Sequence, residues 1–590
     1  MNMSPANAAI IDEAYISPIK SILFIDDKFP THADLLKKSL TTDTEEEHIE
    51  ANLRDIATEN QFDHEEDNTH NGNIDIEEIQ EEHDRSIDEH VLRLTQSCRE
   101  NGYIFDVENN LECIERDEYA FINKSDLVVL DYFLTEGEDS SHALKIIHSL
   151  AQSKRYNLII VHSTKEKQDV ASEILFSMKN ITYENTEREE LANAAAIEAI
   201  VNENIRHILD GSEEHIKTIC SLAGSASKEK VIYFTNQIIS NNFRSTTKSK
   251  SDLVLQSDIA SSTTPWIAAK NAFIVVTQKD IASEQDINNL IQELKTALTE
   301  YDPGIITKAL HKFANISKEN IYEILNSSFS TPEIRAAALL TALNGISSIE
   351  THPHKANIIA NRITHAILSA ASTGIASKAD QFCINCIDSL QIENEATIHR
   401  ACTTAENANC TMDKIFLHAN AMACCEQKPH HYITTGSIFT QEDKSWMCVT
   451  PSCDLARGED FNASKIIFIE AIKLTKITDS NRIAKALKDA HKGLYIFVKT
   501  TTGVDVYSPY NDSKPNLHID NFFIRGTTFL TIDDTIRLYT VEADEVGYSV
   551  MSQQSNVIAQ LRPDYASRFL SEKGAWKSRI GVDFFQYKPE

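Results

Sequence analysis

Three unbroken apolar runs mark the first part of the chain: Ile22-Leu23-Phe24-Ile25, Leu127-Val128-Val129-Leu130 and Leu158-Ile159-Ile160-Val161. Runs of this length without alternation are what strands buried on both faces show, as in a parallel sheet covered by helices. The stretches between them have helical patterning. A first helix is expected over Pro30 to Leu40, resuming near Ile87 to Glu100 and stopping at Gly102. Tyr103 to Asn109 reads as a second strand, Leu111 to Asn123 as a second helix and Ala143 to Ala151 as a third. A fifth apolar strand, Phe273 to Thr277, comes only after a long interruption. It is followed by Ile287, Leu290, Ile291, Leu294 and Leu298 at helical spacing.

Further on, the pattern changes twice. From about 300 to 425 it is helical, with Thr331 as a cap, Pro332 at the first helical position and Gly345 after the end of one helix. From about 430 to 550 it consists of short β-rich runs between polar turns, such as "SKIIFIEAIKL", "GLYIFVKT", "TTFLTI" and "IRLYTVEA". That spacing predicts a small barrel or sandwich, closed by a terminal helix over "SNVIAQLRPDYASRFL". The expected domains are therefore an α/β domain over 1–300, a helical domain over 301–430 and a β-rich domain over 431–590.

The apolar runs end on chemistry. Asp26 and Asp27 close the first, Asp131 the second, and Ser163, after His162, the third. A parallel sheet gathers its functional groups at the carboxyl ends of its strands. Two adjacent carboxylates suit a hard cation such as Mg²⁺. A third carboxylate nearby can attack phosphorus, with the cation neutralising charge on the transferred group. The competing reading is that each Asp merely caps a turn or helix; the ordered recurrence of acids at successive strand ends favours a site.

These segments resemble a bacterial response-regulator receiver domain over residues 21–40 and 98–168, through "ILFIDDKFP", "LVVLDYFL" and "LIIVHST". The resemblance implies a flavodoxin-like fold with large insertions. It also implies that Asp131 accepts the phosphoryl group, and that Asp26, Asp27, Asp131 and the backbone carbonyl of Phe133 hold Mg²⁺. Ser163 would then bond a phosphoryl oxygen. A receiver also carries a lysine after its fifth strand, and Lys279 in "NAFIVVTQKD" is the candidate. The alternative is an unrelated strand with a solvated lysine. Two positions depart from the family pattern: Asp280 stands where proline is usual, and Val276 where a switching aromatic is common.

Composition adds an insertion and excludes some partners. The formal net charge is −32, which opposes binding to nucleic acid or anionic membranes. Residues 41–90 hold nineteen Asp or Glu against two Arg, a local net of −17. Such a stretch reads as a mobile, solvated insertion over about 41–85. Its histidines, His48, His64, His70, His83 and His90, are too irregularly spaced for a metal site. A second insertion is expected over 170–265, with an exposed Ser/Thr-rich end. No signal-like segment opens the chain, and no apolar run approaches the about 18 residues of a membrane span. A cytoplasmic setting follows, and a reducing one for the 11 cysteines.

Two cysteine groups compete for attention. Cys448 and Cys453 are five apart, and Asp454 follows; Cys453 after a strand could be a nucleophile with His430 or His431 as base, but a buried Cys at a strand end and a turn Asp explain the same letters better. Cys383, Cys386, Cys424 and Cys425 could assemble a zinc site, but the second pair is adjacent, and core thiols are preferred.

Along its whole length the chain resembles the receiver-bearing components of Detocs-type anti-phage phosphorelay systems, through a divergent receiver, a helical middle, "TPSCDL" and "LRPDYASRFL…SRIGVDF". No effector motif is recognisable. The resemblance therefore implies the buffer component, a phosphate sink fed by a sensor histidine kinase and competing with a second receiver–effector protein. No enzymatic activity is expected beyond slow loss of its own phosphoryl group. The alternatives are a response regulator with an unrecognised output and a receiver-derived scaffold.

Overall fold

The computed structural model describes residues 5–35, 89–111, 121–135, 139–179, 193–224, 228–243, 253–279, 286–343, 353–390, 411–426, 432–456, 466–500, 503–511, 514–526, 528, 530–531, 534–544 and 547–577. Most of the acidic stretch 41–90, most of the expected helix Leu111 to Asn123, and His430 and His431 lie outside them. The chain forms two compact units. The first comprises Met1–Asn344 and Asn361–Ala408, and the second Gly345–Ala360 and Asn409–Glu590.

The first unit is built on seven strands: β1 (Ser21–Ile25), β2 (Ile104–Glu108), β3 (Leu127–Asp131), β4 (Asn157–Ser163), β5 (Val254–Asp258), β6 (Trp266–Ala269) and β7 (Ala272–Gln278). Their order is β2-β1-β3-β4-β7-β6-β5. The first five in that order are parallel. They reproduce the 2-1-3-4-5 order of a doubly wound sheet, in which ligands bind beyond the carboxyl ends of the strands. Every residue of β3 and β4 is buried, which is why those runs do not alternate. β6 and β5 then add antiparallel strands beyond β7.

Helices cover both faces. On one lie α1 (Pro5–Ile11), α2 (89–100) and, beyond β7, α9 (Ile287–Tyr301). On the other lie α3 (Ser141–Gln152) and α4 (Lys167–Met178), followed by α5 (Ala194–Glu203), α6 (Ile205–Leu209), α7 (Glu213–Leu222) and α8 (Lys228–Asn241). Helix α4 has lost its solvent face: every residue from Val170 to Met178 is buried. It packs against α6 and strands β5, β6 and β7.

Of the end of the 170–265 stretch expected to be exposed, residues 244–252 lie outside the described residues, Ser261 and Thr263 are exposed, and the rest is more ordered than expected. "VLQSD" is strand β5, and Ser262 and Thr264 are buried. Asp210 explains the order there, since its carboxylate accepts from Ser257 Oγ and from the backbone of Ile259 and Ala260.

The helical stretch divides between the units. α10 (Ile305–Ser328), α11 (Pro332–Leu343) and α12 (Pro353–Ser389, from Asn361 onward) belong to the first, and α13 (Met412–Cys424) to the second. Helix α10 is tied to the amino edge of the sheet by Lys318, which pairs with Asp126. Asp126 also accepts from the backbone of Lys20 and Ser21.

The second unit is antiparallel. β8 (Ser437–Gln441), β9 (Lys444–Cys448), β10 (Ile466–Ile477), β15 (Ile519–Arg525), β16 (Thr535–Asp544) and β17 (Gly547–Gln560) close into a ring, because β9 pairs with both β8 and β10. The strands between them in sequence, β11 (Ile496–Thr500), β12 (Gly503–Ser508), β13 (Tyr510–Asn511) and β14 (Lys514–Leu517), stand outside the ring; β11 and β12 extend β10. Residues such as Phe439, Trp446, Ile469, Phe522 and Leu538 form one buried cluster. A second cluster joins the barrel to α13, α14 (Ser480–Lys488) and α15 (Pro563–Lys577).

The expected terminal helix begins too early in the sequence reading. "SNVIAQ" is the end of β17, with Ser555, Val557 and Ala559 buried in alternation. The helix starts only at Pro563, a residue suited to a first helical position.

Candidate functional site

Parallel pairing brings the strand-end residues together. β3 lies between β1 and β4, and β4 pairs with β7 through Ser163↔Gln278. Lys279, the next residue, donates its backbone N–H to the Ser163 carbonyl at 2.7 Å. Its side chain then turns across the sheet edge. Nζ lies 2.8 Å from Asp131 Oδ2 and 3.0 Å from Asp26 Oδ2. The lysine is thus fixed at both ends, by a ladder extension and by two carboxylates.

Asp26, Asp27 and Asp131 bring one carboxylate oxygen each within 4.8 Å of one another. Asp26 Oδ1 accepts from the backbone N–H of Lys28 at 3.0 Å. Asp131 Oδ1 accepts from Phe133 N–H at 3.4 Å. Asp27 Oδ1 is buried and has no hydrogen-bond partner among the described residues. A buried carboxylate oxygen without a donor is costly unless something else satisfies it. Three carboxylates facing one ammonium leave two formal negative charges, matching a divalent cation with oxygen preference. The donor set therefore fits Mg²⁺.

The electrostatics agree. Burial pushes the Asp131 carboxyl above its ordinary range, and Asp26 adds to the rise, while Lys279 and the Phe133 N–H pull the other way. Asp27 is also raised, by burial and then by Asp26. For Lys279, burial disfavours the charge, but Asp26 and Asp131 outweigh it and raise its pKa. The lysine stays charged because the acids hold it there.

Ser163 is fully buried, and its Oγ accepts from Lys165 N–H at 3.1 Å. Phe133 stands two residues past Asp131 and is half-buried. One pair was not singled out from the sequence. His162 and Thr277 are buried neighbours across β4 and β7, with His162 Nδ1 2.8 Å from Thr277 Oγ1. Their positions, one residue before Ser163 and two before Lys279, were the available signal.

The cysteines fall elsewhere. Cys448 is wholly buried in the barrel cluster, with its thiol pushed up to about 11 by burial. The side chain of Cys453 lies outside the described residues. Cys386 belongs to a core of the first unit, and Cys424 and Cys425 to a core of the second. Among the described residues, the group of Asp26, Asp27 and Asp131 is the one cluster of potential metal ligands. No described helix is long and apolar enough to cross a membrane.

Comparison with known proteins agrees with this geometry. No curated protein and no solved structure gives a significant match. Residues 18–210 match the family model described as Response receiver domain. The match takes in β1 to β4 with Asp26, Asp27, Asp131 and Ser163, and stops before the strand that delivers Lys279. The chain carries a response receiver domain over residues 18–210.

Proposed function

We propose that Asp131 accepts a phosphoryl group from a sensor histidine kinase and that the protein serves as a phosphate sink. The observation that carries the acceptor role is the Lys279 bridge, 2.8 Å from Asp131 and 3.0 Å from Asp26. It joins the family's acids to a cation that the family match does not itself include. The domain outline in this reading is a flavodoxin-like receiver, with α5–α8 and β5–β6 inserted between its last two parallel strands.

In the transfer, a carboxylate oxygen of Asp131 attacks the phosphorus of a phosphohistidine. The new O–P bond forms as the P–N bond breaks, and the electron pair stays on the imidazole nitrogen, which takes up a proton. Asp26, Asp27, Asp131 and the Phe133 carbonyl would hold Mg²⁺, which when bound neutralises charge on the transferring group. Lys279 stays protonated beside the acceptor and can pair with a phosphoryl oxygen. Ser163, tied to the Lys279 backbone, holds its hydroxyl at the same edge.

Two features support a sink over an output regulator. Val276, where an aromatic switch would stand, is fully buried. Beyond its partly exposed first turn, helix α4 is buried from Val170 to Met178, so a shift of its body on phosphorylation would have to disturb a packed core. The further reading, that the competing receiver is an anti-phage effector, rests on the whole-chain sequence likeness. Intact-mass analysis after treatment with acetyl phosphate and Mg²⁺ tests the acceptor. One phosphoryl adduct is expected, absent in Asp131→Asn; an adduct retained in that variant refutes the assignment.

A further inference from the structure

The ring of the second unit has one part that leaves the barrel. β16 and β17 remain paired to their tip, through Thr540↔Met551, Val541↔Val550 and Ala543↔Tyr548. β17 meets β8 only from Asn556 onward. Over Tyr548–Gln554, the second edge of β17 has no strand beside it among the described residues. This stretch is about 24 Å long at the usual rise per residue. Tyr548 is 85% exposed, Val550 54% and Met551 46%. On one face Val550 adjoins Val541, itself 57% exposed.

Open edges invite pairing, and proteins ordinarily guard them with charges, prolines or bulges. Other edges of this chain are guarded. β2 carries Asp106 and Glu108, β5 is bulged and ends on Asp258, and β11 carries Lys499. From Gly547 to Leu561 there is no charged residue and no proline. In a chain of net charge −32, a contact between two copies meets least repulsion on an uncharged surface. A basic partner would instead be drawn to acidic surface. A two-fold axis also lets one strand pair antiparallel with itself, so no second complementary sequence is needed.

We propose that the Tyr548–Gln554 edge pairs antiparallel with the same edge of a second copy, making the protein a two-fold dimer through its barrel arm. The contact joins the two ribbons into a four-stranded sheet and covers Val550 and Met551. It does not depend on the phosphoryl chemistry of the other unit.

Sedimentation of the full chain across micromolar concentrations tests this. The natural sequence should sediment as a dimer, and Val550→Lys combined with Met551→Lys as a monomer with an unchanged melting temperature. A photo-reactive amino acid at Ser549 should give a covalent dimer on illumination. A monomeric natural protein, or a dimer that survives both lysines, overturns the proposal. Should the double variant fail to fold, the Ser549 cross-link decides, and the absence of a covalent dimer overturns it.

Discussion

Lys279 and Asp26 are 253 residues apart in sequence, yet Lys279 Nζ lies 3.0 Å from Asp26 Oδ2. The same ammonium is 2.8 Å from Asp131. Without a bound cation it is the charge that keeps these carboxylates from repelling each other. Lys279→Ala should therefore destabilise the metal-free protein. Breaking a fully buried pair costs several kcal/mol; with the lysine side chain 25% exposed, about 1–2 kcal/mol is expected. Urea unfolding in EDTA measures this. Saturating Mg²⁺ should restore most of the loss, and equal stability of the two proteins in EDTA would contradict the role.

Asp27 makes the opposite prediction in the same buffer. Its carboxyl is raised by burial and by Asp26. A folded acid with a raised pKa binds protons more readily than its unfolded counterpart, so stability falls as pH rises through the folded value. Below the unfolded value the penalty is gone. Asp27→Asn should raise the melting temperature in EDTA at neutral pH by about 2 °C, and the gain should shrink toward acid pH. With Mg²⁺ the order should reverse, because the cation stabilises only the protein that binds it well. A lower melting temperature for the variant in EDTA at neutral pH would sink this account.

What the sequence made legible follows from burial. β1, β3 and β4 are covered on both faces, so their apolar runs are continuous and the acids that end them stand out. Lys279 was harder to assign, because the β4–β7 pairing it depends on spans more than a hundred residues, as His162 and Thr277 show. β5 and β15 were missed. "VLQSD" and "IDNFFIR" are only partly buried and carry polar residues within the strand. "SNVIAQ" was misread because short mixed runs fit either period; its burial alternates every second residue, and Pro563 sets the helix start. Barrel closure rests on β9 pairing with β10, a long-range register no local pattern encodes.

Cys448 should be chemically silent. It is fully buried, and its thiol is raised to about 11 by desolvation, so little thiolate exists at neutral pH. Iodoacetamide at pH 8 should leave it unmodified in the folded protein and label it after denaturation, as read by peptide mass mapping. Rapid labelling of the folded chain at Cys448 would contradict this burial.

The last prediction concerns the direction of signalling. In the sink reading, phosphoryl groups reaching Asp131 are withdrawn from a competing receiver served by the same kinase. A kinase, the competitor and this protein can be mixed with ATP and the competitor's phosphorylation followed over time. The natural protein should slow its accumulation in proportion to the sink added, and Asp131→Asn should have no such effect. In cells carrying the three genes together, Asp131→Ala should then raise signalling through the competitor, seen as growth arrest without any stimulus. The buried body of helix α4 from Val170 to Met178 and the buried Val276 argue for this sign, because a shift of either on phosphorylation would have to disturb a packed core. Healthy growth together with loss of pathway function in the Asp131→Ala strain would reverse the sign and identify an activating regulator.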